Sequence, residues 1–341
     1  MKKLAFVLGI LLIGSFASPA PAEPIGGASP SQAVGPSYVI GAAGDIACPS
    51  DPYPATKPDN CQYDDTADLL AGLTLVLALG DNQYNTGSYT AYTTYYNPTW
   101  GQYVANTDPV PGNHEYAQDP SSTPRGYFRY FGDRVKGPDG LGYYSFDVPQ
   151  GCTPGQGVCW HFIAMSSMLC FADGGCGPAS DPANPGLGNK MHEWLKQDLA
   201  AHPGSNYACT LAYWHHPLFS FSSGSGAAPA MRPLWRLLYR AQADIVVNGH
   251  AHNYQRWRPQ APGGAFDAEH GIREFVVGTG GASKYALLTG EKPANLAVAQ
   301  DEAFGILRIT LRRGGYSWEW ATAAGQPGNF TDAKTTAVRC V

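Results

Sequence analysis

No run of basic residues follows Lys2-Lys3 in this sequence, and Asp and Glu outnumber Lys and Arg 27 to 22. A chain of formal net charge -5 lacks the electrostatic footprint that a nucleic-acid backbone requires. A second long apolar run is missing too: after residues 4–16, nothing in the sequence is long enough to span a bilayer. No CxxC or Cys/His ribbon spacing occurs, so the eight cysteines offer no zinc module. There is no internal repeat, and the 41 Gly and 28 Pro recur without a period. That excludes a fibrous chain and leaves a folded one with many surface loops.

What is present begins with a leader. Lys2 and Lys3, the apolar stretch over 4–16 and the small residues of Ala20-Pro21-Ala22 predict a signal peptide over residues 1–22. A membrane anchor is the alternative, though the apolar stretch is short for a span. Residues 23–36 read as a flexible lead-in rich in Gly, Pro, Ser and Ala, and 37–341 as one domain. An exported chain is secreted or periplasmic, where an even number of cysteines reads as a disulfide framework. Spacing suggests Cys48–Cys61, Cys152–Cys159 and Cys170–Cys176, each closing a short loop, and leaves Cys209 with Cys340.

Apolar runs predict strands over 38–43, 75–79, 143–148, 160–165, 211–214, 245–247 and 275–277. Helical character falls at 66–71, 191–201 and 231–241, and a hairpin joins 306–311 to 316–320. The pattern is that of a layered α/β fold with some antiparallel pairing. Five apolar runs stop at metal-competent side chains: Asp45, then Asp81 with Tyr84, Asn113 with His114, His215 with His216, and His250 with His252. Strand ends are where α/β sheets place their sites. Carboxylate, phenolate, amide and imidazole groups, with no free thiolate, suit Fe, Mn or Zn better than copper or calcium. Seven candidate ligands exceed what one ion needs and suggest two ions sharing a carboxylate.

Taken in order, Gly44-Asp45, Gly80-Asp81-Asn82-Gln83-Tyr84, Gly112-Asn113-His114-Glu115, His215-His216-Pro217 and Gly249-His250-Ala251-His252 resemble the motif series of the calcineurin-like metallophosphoesterases. Within that superfamily they resemble the purple acid phosphatase branch, as do Asn253-Tyr254-Gln255-Arg256 and Gly278-Thr279-Gly280-Gly281. Most of the superfamily has a His two residues after the first Asp, where this chain has Ala47; the purple branch has a Tyr three residues after the second Asp, where this chain has Tyr84. Ala47-Cys48 departs from the family's glycine there, which changes loop shape but removes no ligand. The short lead-in also implies that the N-terminal β-sandwich of the large plant enzymes is absent.

The resemblance implies an α/β four-layer sandwich, two mixed β-sheets flanked by helices. It implies that Asp45, Asp81, Tyr84 and His252 hold Fe(III), while Asn113, His215 and His250, with Asp81 bridging, hold Fe, Zn or Mn. The implied activity is hydrolysis of a small phosphate monoester by a metal-activated hydroxide. His114 is the first catalytic candidate and His216 the second, with Glu115, Gln255 and Arg256 behind the ligands or at the substrate rim. A phosphodiesterase shares the same metal core, and a non-catalytic secreted binding protein could keep the fold. The Tyr-rich stretch 84–103 invites a carbohydrate-binding or adhesive reading, but serves equally as a packed loop over the site.

Overall fold

Uninterrupted runs of Val, Leu, Ile and Ala form strands that are buried on both faces, as parallel sheets covered by other layers require. The computed structural model describes Met1 and residues 38–48, 61–117, 125–172, 175–180, 183 and 185–341. Apart from Met1, the expected leader (1–22) and lead-in (23–36) lie outside the described residues. All elements below belong to the unit Gly35–Val341.

The first sheet contains β1 (Tyr38–Ala43), β2 (Leu75–Leu79), β3 (Thr107–Val110), β11 (Gly305–Arg312), β12 (Gly315–Thr322) and β13 (Ala333–Arg339), in the order β13-β12-β11-β1-β2-β3. The second contains β4 (Tyr144–Val148), β5 (Trp160–Ala164), β6 (Cys209–Trp214), β7 (Ile245–Asn248), β8 (Tyr254–Trp257), β9 (Arg273–Val277) and β10 (Leu296–Gln300), in the order β10-β8-β9-β7-β6-β5-β4. Both sheets are mixed: β1-β2-β3 and β5-β6-β7-β9 run parallel, and the flanking strands pair antiparallel.

Side-chain alternation along the strands builds two cores. Phe162, Leu211, Tyr213, Ile245 and Val247 share one core with Leu77, Leu79, Ile309 and Trp318 of the first sheet. Their sequence neighbours Ile163, Ala212, Trp214 and Val246 face the other way. These pack on Met191 and Leu195 of one helix (Leu187–Ala201) and on Leu234, Trp235 and Leu238 of another (Arg232–Arg240). The result is two mixed sheets flanked by helices, as expected.

The departures are local. The long helix starts at Leu187 rather than 191, because the Asn189 side chain accepts the Gly186 backbone N–H and starts the first turn earlier. Strands β3, β8, β10 and β13 were not among the expected strands; β13 is an exposed edge strand without apolar alternation. The Tyr-rich stretch is a packed element: Tyr92, Tyr96 and Trp100 are fully buried, and Tyr92 stacks on Tyr130 at 4.8 Å. An adhesive surface would need those rings exposed.

The structure pairs Cys48–Cys61, Cys152–Cys159, Cys170–Cys176 and Cys209–Cys340, with no free cysteine among the described residues. Cys209–Cys340 ties β6 to the C-terminal tail across 131 residues of sequence. Closing a loop of that length is worth about 4–5 kcal/mol in the chain-entropy account. Four disulfides fit an oxidising compartment. Among the described residues, no helix is long and apolar enough to cross a membrane.

At the second sheet's far edge, buried His161 has both ring nitrogens 2.9 Å from carboxylates: Nδ1 from Asp147 and Nε2 from Asp198. Burial alone would lower its pKa, but the bonds to Asp198 and Asp147 outweigh this and raise it. Asp198 shows the opposite result: burial works against ionisation, yet His161 and Ser145 hold its carboxyl below the usual range. The imidazolium's contribution is therefore complete below about pH 6.5 and is lost as pH rises through the raised value. The carboxylate's contribution is lost only as pH falls through its lowered one. Replacing His161 by Asn should cost about 3–5 kcal/mol at mildly acidic pH, since it strands a buried carboxylate. Urea titrations from pH 4.5 to 9 should show that deficit shrinking on the alkaline side; a deficit independent of pH would mean that no charged pair exists.

Candidate metal centre

Gly44-Asp45 follows β1, Gly80-Asp81 follows β2, His215 follows β6, and Gly249-His250 follows β7, so parallel strands of both sheets deliver their next residues to one end of the sandwich. The loops are laced together there. Asp45 N–H donates to Gly80 O at 3.0 Å, and Gly249 N–H to His215 O at 3.0 Å. Two cross-sheet bonds join the halves: Gly44 N–H donates to Val277 O at 2.9 Å, and His215 Nδ1–H to Leu79 O at 2.9 Å.

Asp45 (φ 60°), Asp81 (φ 48°) and His250 (φ 67°) are held in the left-handed region that side chains other than glycine avoid. Gln242 alone shares that conformation among the other described non-glycine residues. Strain of this kind concentrates where a side chain must be aimed. Close packing explains the glycines beside them: a Cβ at Gly80 would meet His215 Nδ1 at 2.7 Å, and one at Gly112 would overlap the Asp81 carboxylate.

Seven side chains converge. Tyr84 Oη lies 3.0 Å from Asp45 Oδ1, 3.2 Å from Asp81 Oδ2 and 2.9 Å from His252 Nε2. His252 Nε2 is 3.1 Å from Asp45 Oδ1. On the other side, His215 Nε2 lies 3.2 Å from Asp81 Oδ2, 3.2 Å from Asn113 Oδ1 and 3.3 Å from His250 Nδ1. Asp81 Oδ2 thus belongs to both groups. Asp45, Asp81 and His215 form one cluster of metal-competent atoms, and His215, His216 and His250 form another.

The electrostatics call for positive charge. Burial opposes ionising Asp81, yet His215 and His114 hold its carboxyl well below the usual range. Burial likewise opposes Asp45, and His252 and His215 keep it low. Burial would also lower His215, but Asp81 and Asp45 raise it to about 9. His250 falls to about 4 through burial and the neighbouring His215. Burial, then Asp45 and Asp81, push the Tyr84 phenol well above its ordinary value.

The donor set fits metal cations. One phenolic proton on Tyr84 faces three acceptors. His252 Nδ1–H points at Ser283 O and His215 Nδ1–H at Leu79 O, which directs each Nε2 into the cluster. Oxygen and imidazole donors in excess of protons are what a pair of borderline cations satisfies.

The remaining expected residues divide. His114 stands at the rim with its side chain 30% exposed, its Nδ1 bonded to Asn85 O at 2.6 Å and its Nε2 3.8 Å from Asp81 Oδ2. His216 is buried beside His250, ring centroids 4.1 Å apart, with Nδ1 2.8 Å from Ser167 Oγ. Burial, then His215 and His250, push its pKa well below the ordinary value.

Gln255 is fully buried, its Oε1 accepting the Phe221 N–H at 2.9 Å, so it braces a loop and does not reach the rim. Arg256 is committed to a bidentate pair with Asp332, at 2.8 and 3.0 Å, and offers no free fork for phosphate. Sequence reasoning missed Ser167 and Tyr285, whose ring stacks on His252 at 4.0 Å; neither sits in a motif.

Glu115 is not at the rim either. Its Oε2 accepts the N–H groups of Asp81 (2.9 Å) and Gly112 (2.7 Å), and its Oε1 those of Asn82 (2.9 Å) and Gln83 (3.2 Å) plus the Tyr92 hydroxyl (2.9 Å). Burial and then Asp81 push its pKa up, while the backbone N–H groups pull it down. All five partners are donors, so the ionised form is the one that fits.

Two mixed sheets meeting over a buried cluster of His, Asp, Asn and Tyr donors are typical of metal-dependent phosphoesterases. The model of the calcineurin-like phosphoesterase family matches residues 38–254, and the chain belongs to that family. Purple acid phosphatase 15 of Arabidopsis thaliana is 29% identical over 168 residues, 46% of this chain and 27% of that protein. Purple acid phosphatase 21 of the same plant is 29% identical over 182 residues, 52% of this chain and 36% of that protein. The structure of a purple acid phosphatase from yellow lupin (Lupinus luteus) seeds superposes with a TM-score of 0.62 at 18% identity, covering 87% of this chain and 53% of that one. The matched stretches span about a third of the two Arabidopsis proteins.

Glu115→Gln turns an amide NH₂ toward backbone donors. It should cost about 2–4 kcal/mol of stability and loosen the Asp81 loop, lowering metal affinity. Denaturant titration with metal analysis checks this; unchanged stability and full metal content would reduce Glu115 to a spectator.

Proposed function

We propose that this chain is an exported phosphatase that hydrolyses phosphate monoesters with two metal ions. The observation that carries the reading is the position of Asp81 Oδ2, 3.2 Å from both Tyr84 Oη and His215 Nε2. One carboxylate oxygen shared by two donor groups is what a bridging ligand must offer. Asp45, Asp81, Tyr84 and His252 would hold the first ion, taken as Fe(III) because a trivalent ion favours the phenolate. Asp81, Asn113, His215 and His250 would hold the second, Fe, Zn or Mn. When bound, the pair supplies Lewis acidity, making water nucleophilic and drawing charge off the phosphoryl oxygens.

The chain's own residues do the rest. Asn85 O accepts from His114 Nδ1–H, which fixes the ring and turns Nε2 toward the cluster. From there the ring can pass a proton to the departing alkoxide. His216, steadied by Ser167 Oγ, can donate to a phosphoryl oxygen from the side of His250. The buried Tyr92 hydroxyl holds Glu115, and Glu115 holds the Asp81 loop, which steadies that loop as charge changes. Four disulfides support export, to the periplasm or outside the cell.

Fold alone does not separate a hydrolase from a binding protein; metal loading and turnover do. Asp81→Ala should lose both ions and activity. Tyr84→Phe should keep the fold and lose the visible absorption that a tyrosinate gives Fe(III). An iron-loaded wild type without that band would remove Tyr84 from the ligand set. His114→Ala should keep both metals, measured by mass spectrometry, while turnover falls ~10²–10⁴-fold. Metal loss in that variant would instead make His114 a ligand.

A further inference from the structure

Beside Asn113, His216 and His250 opens a cavity of about 440 Å³, within the usual range for a small-molecule site. Its far wall is apolar. Met168 and Phe171 come from one turn (Ser167–Phe171), and Ala227, Ala228 and Pro229 from the loop before the Arg232–Arg240 helix. Among the described residues lining it, none is Lys, Arg, Asp or Glu. A polyanionic leaving group would find no countercharge there.

Phe171 is 52% exposed, one of the few large apolar side chains so placed among the described residues. Its ring stands 4.8 Å from that of His216, tilted by 56°, so the two form a corner at the mouth of the cavity. The backbone under the corner is pinned on both sides. Cys170, buried just before Phe171, is bonded to Cys176, and Ser167 Oγ accepts the His216 N–H at 3.2 Å. Across the cavity, Ala228 N–H donates to Pro217 O at 2.8 Å, which fixes the opposite wall to the His215-His216-Pro217 segment. A braced aromatic ring left open to water beside a phosphate-sized site gains most when a flat apolar group covers it.

We propose that Met168, Phe171 and Pro229 form a leaving-group subsite for the aromatic ring of an aryl phosphate monoester. The inference rests on the phosphomonoesterase reading and adds a substrate class to it. Phosphate is positioned near His216 and His250, and the ring lies against Phe171. Esters whose alcohol carries further phosphates or other charges gain nothing from this wall.

The test compares metal-replete wild type, Phe171→Ala and Phe171→Tyr on phenyl phosphate and on glycerol 2-phosphate. Using each ester's ratio between variants cancels the intrinsic reactivity of its leaving group. Phe171→Ala should reduce kcat/KM for phenyl phosphate about 3–10-fold, the value of one aromatic contact. It should leave glycerol 2-phosphate within about twofold, and Phe171→Tyr should restore phenyl phosphate. Equal losses on both esters, or no loss on either, would overturn the subsite.

A second arm uses calorimetric titration with phenylphosphonate and methylphosphonate. Tighter phenylphosphonate binding that disappears in Phe171→Ala upholds the subsite, and equal or absent binding of the two overturns it. Should wild type hydrolyse neither ester, the phosphatase reading falls and the phosphonate arm alone decides the subsite.

Discussion

A single carboxylate oxygen, Asp81 Oδ2, faces a phenol on one side and an imidazole on the other in a place that water scarcely reaches. Much of the surrounding structure makes that position tolerable. Asp45 and Asp81 are buried within one small cluster, and like charges so close are costly unless positive partners lie between them. His215 and His252 stand against these carboxylates, each oriented by a backbone carbonyl behind it and turning Nε2 toward the cations the cluster calls for. The carbonyl behind His215 belongs to Leu79 of the first sheet, so the electrostatics of the site and the joining of the two sheets depend on the same bond.

Glu115 repeats this logic one layer further back. A third buried carboxylate would add to the repulsion, but five donors surround it, four of them backbone N–H groups of the loops that carry Asp81 and Asn113. It closes one end of each loop as a cap closes a helix. The aromatic packing of Tyr92 against Tyr130 then fixes the hydroxyl that supplies the fifth bond. Aromatic core, carboxylate cradle and donor cluster are thus successive supports for one geometry.

The strands that carry the site were legible because each is a short apolar run ending at a polar residue, and the runs at 38–43 and 75–79 coincide with β1 and β2. The convergence of Asp45, Asp81, Tyr84, Asn113, His215, His250 and His252 could be anticipated from those endings, and their separations could not. Glu115 could be read either behind the ligands or at the rim, because its place is set by backbone donors, which leave no trace in residue type. Arg256 was expected behind the ligands or at the substrate rim, but Asp332, 76 residues away, takes its guanidinium. The strand β13 was invisible for a related reason: its pairing with β12 is edge hydrogen bonding without an apolar face. Long-range partners and main-chain geometry are what a one-dimensional pattern omits.

The left-handed backbone at Asp45, Asp81 and His250 has an evolutionary consequence. Glycine enters that conformation freely, whereas a side chain there costs of order 1–3 kcal/mol. At each of these three positions, the replacement that most relaxes the main chain also deletes a donor. Selection for stability alone would erode the cluster from within, and a descendant relieved of its chemistry would be expected to keep the sandwich while filling these turns with glycine. With Asp, Asp and His in these three turns, the chain carries strain that folding stability alone would not select.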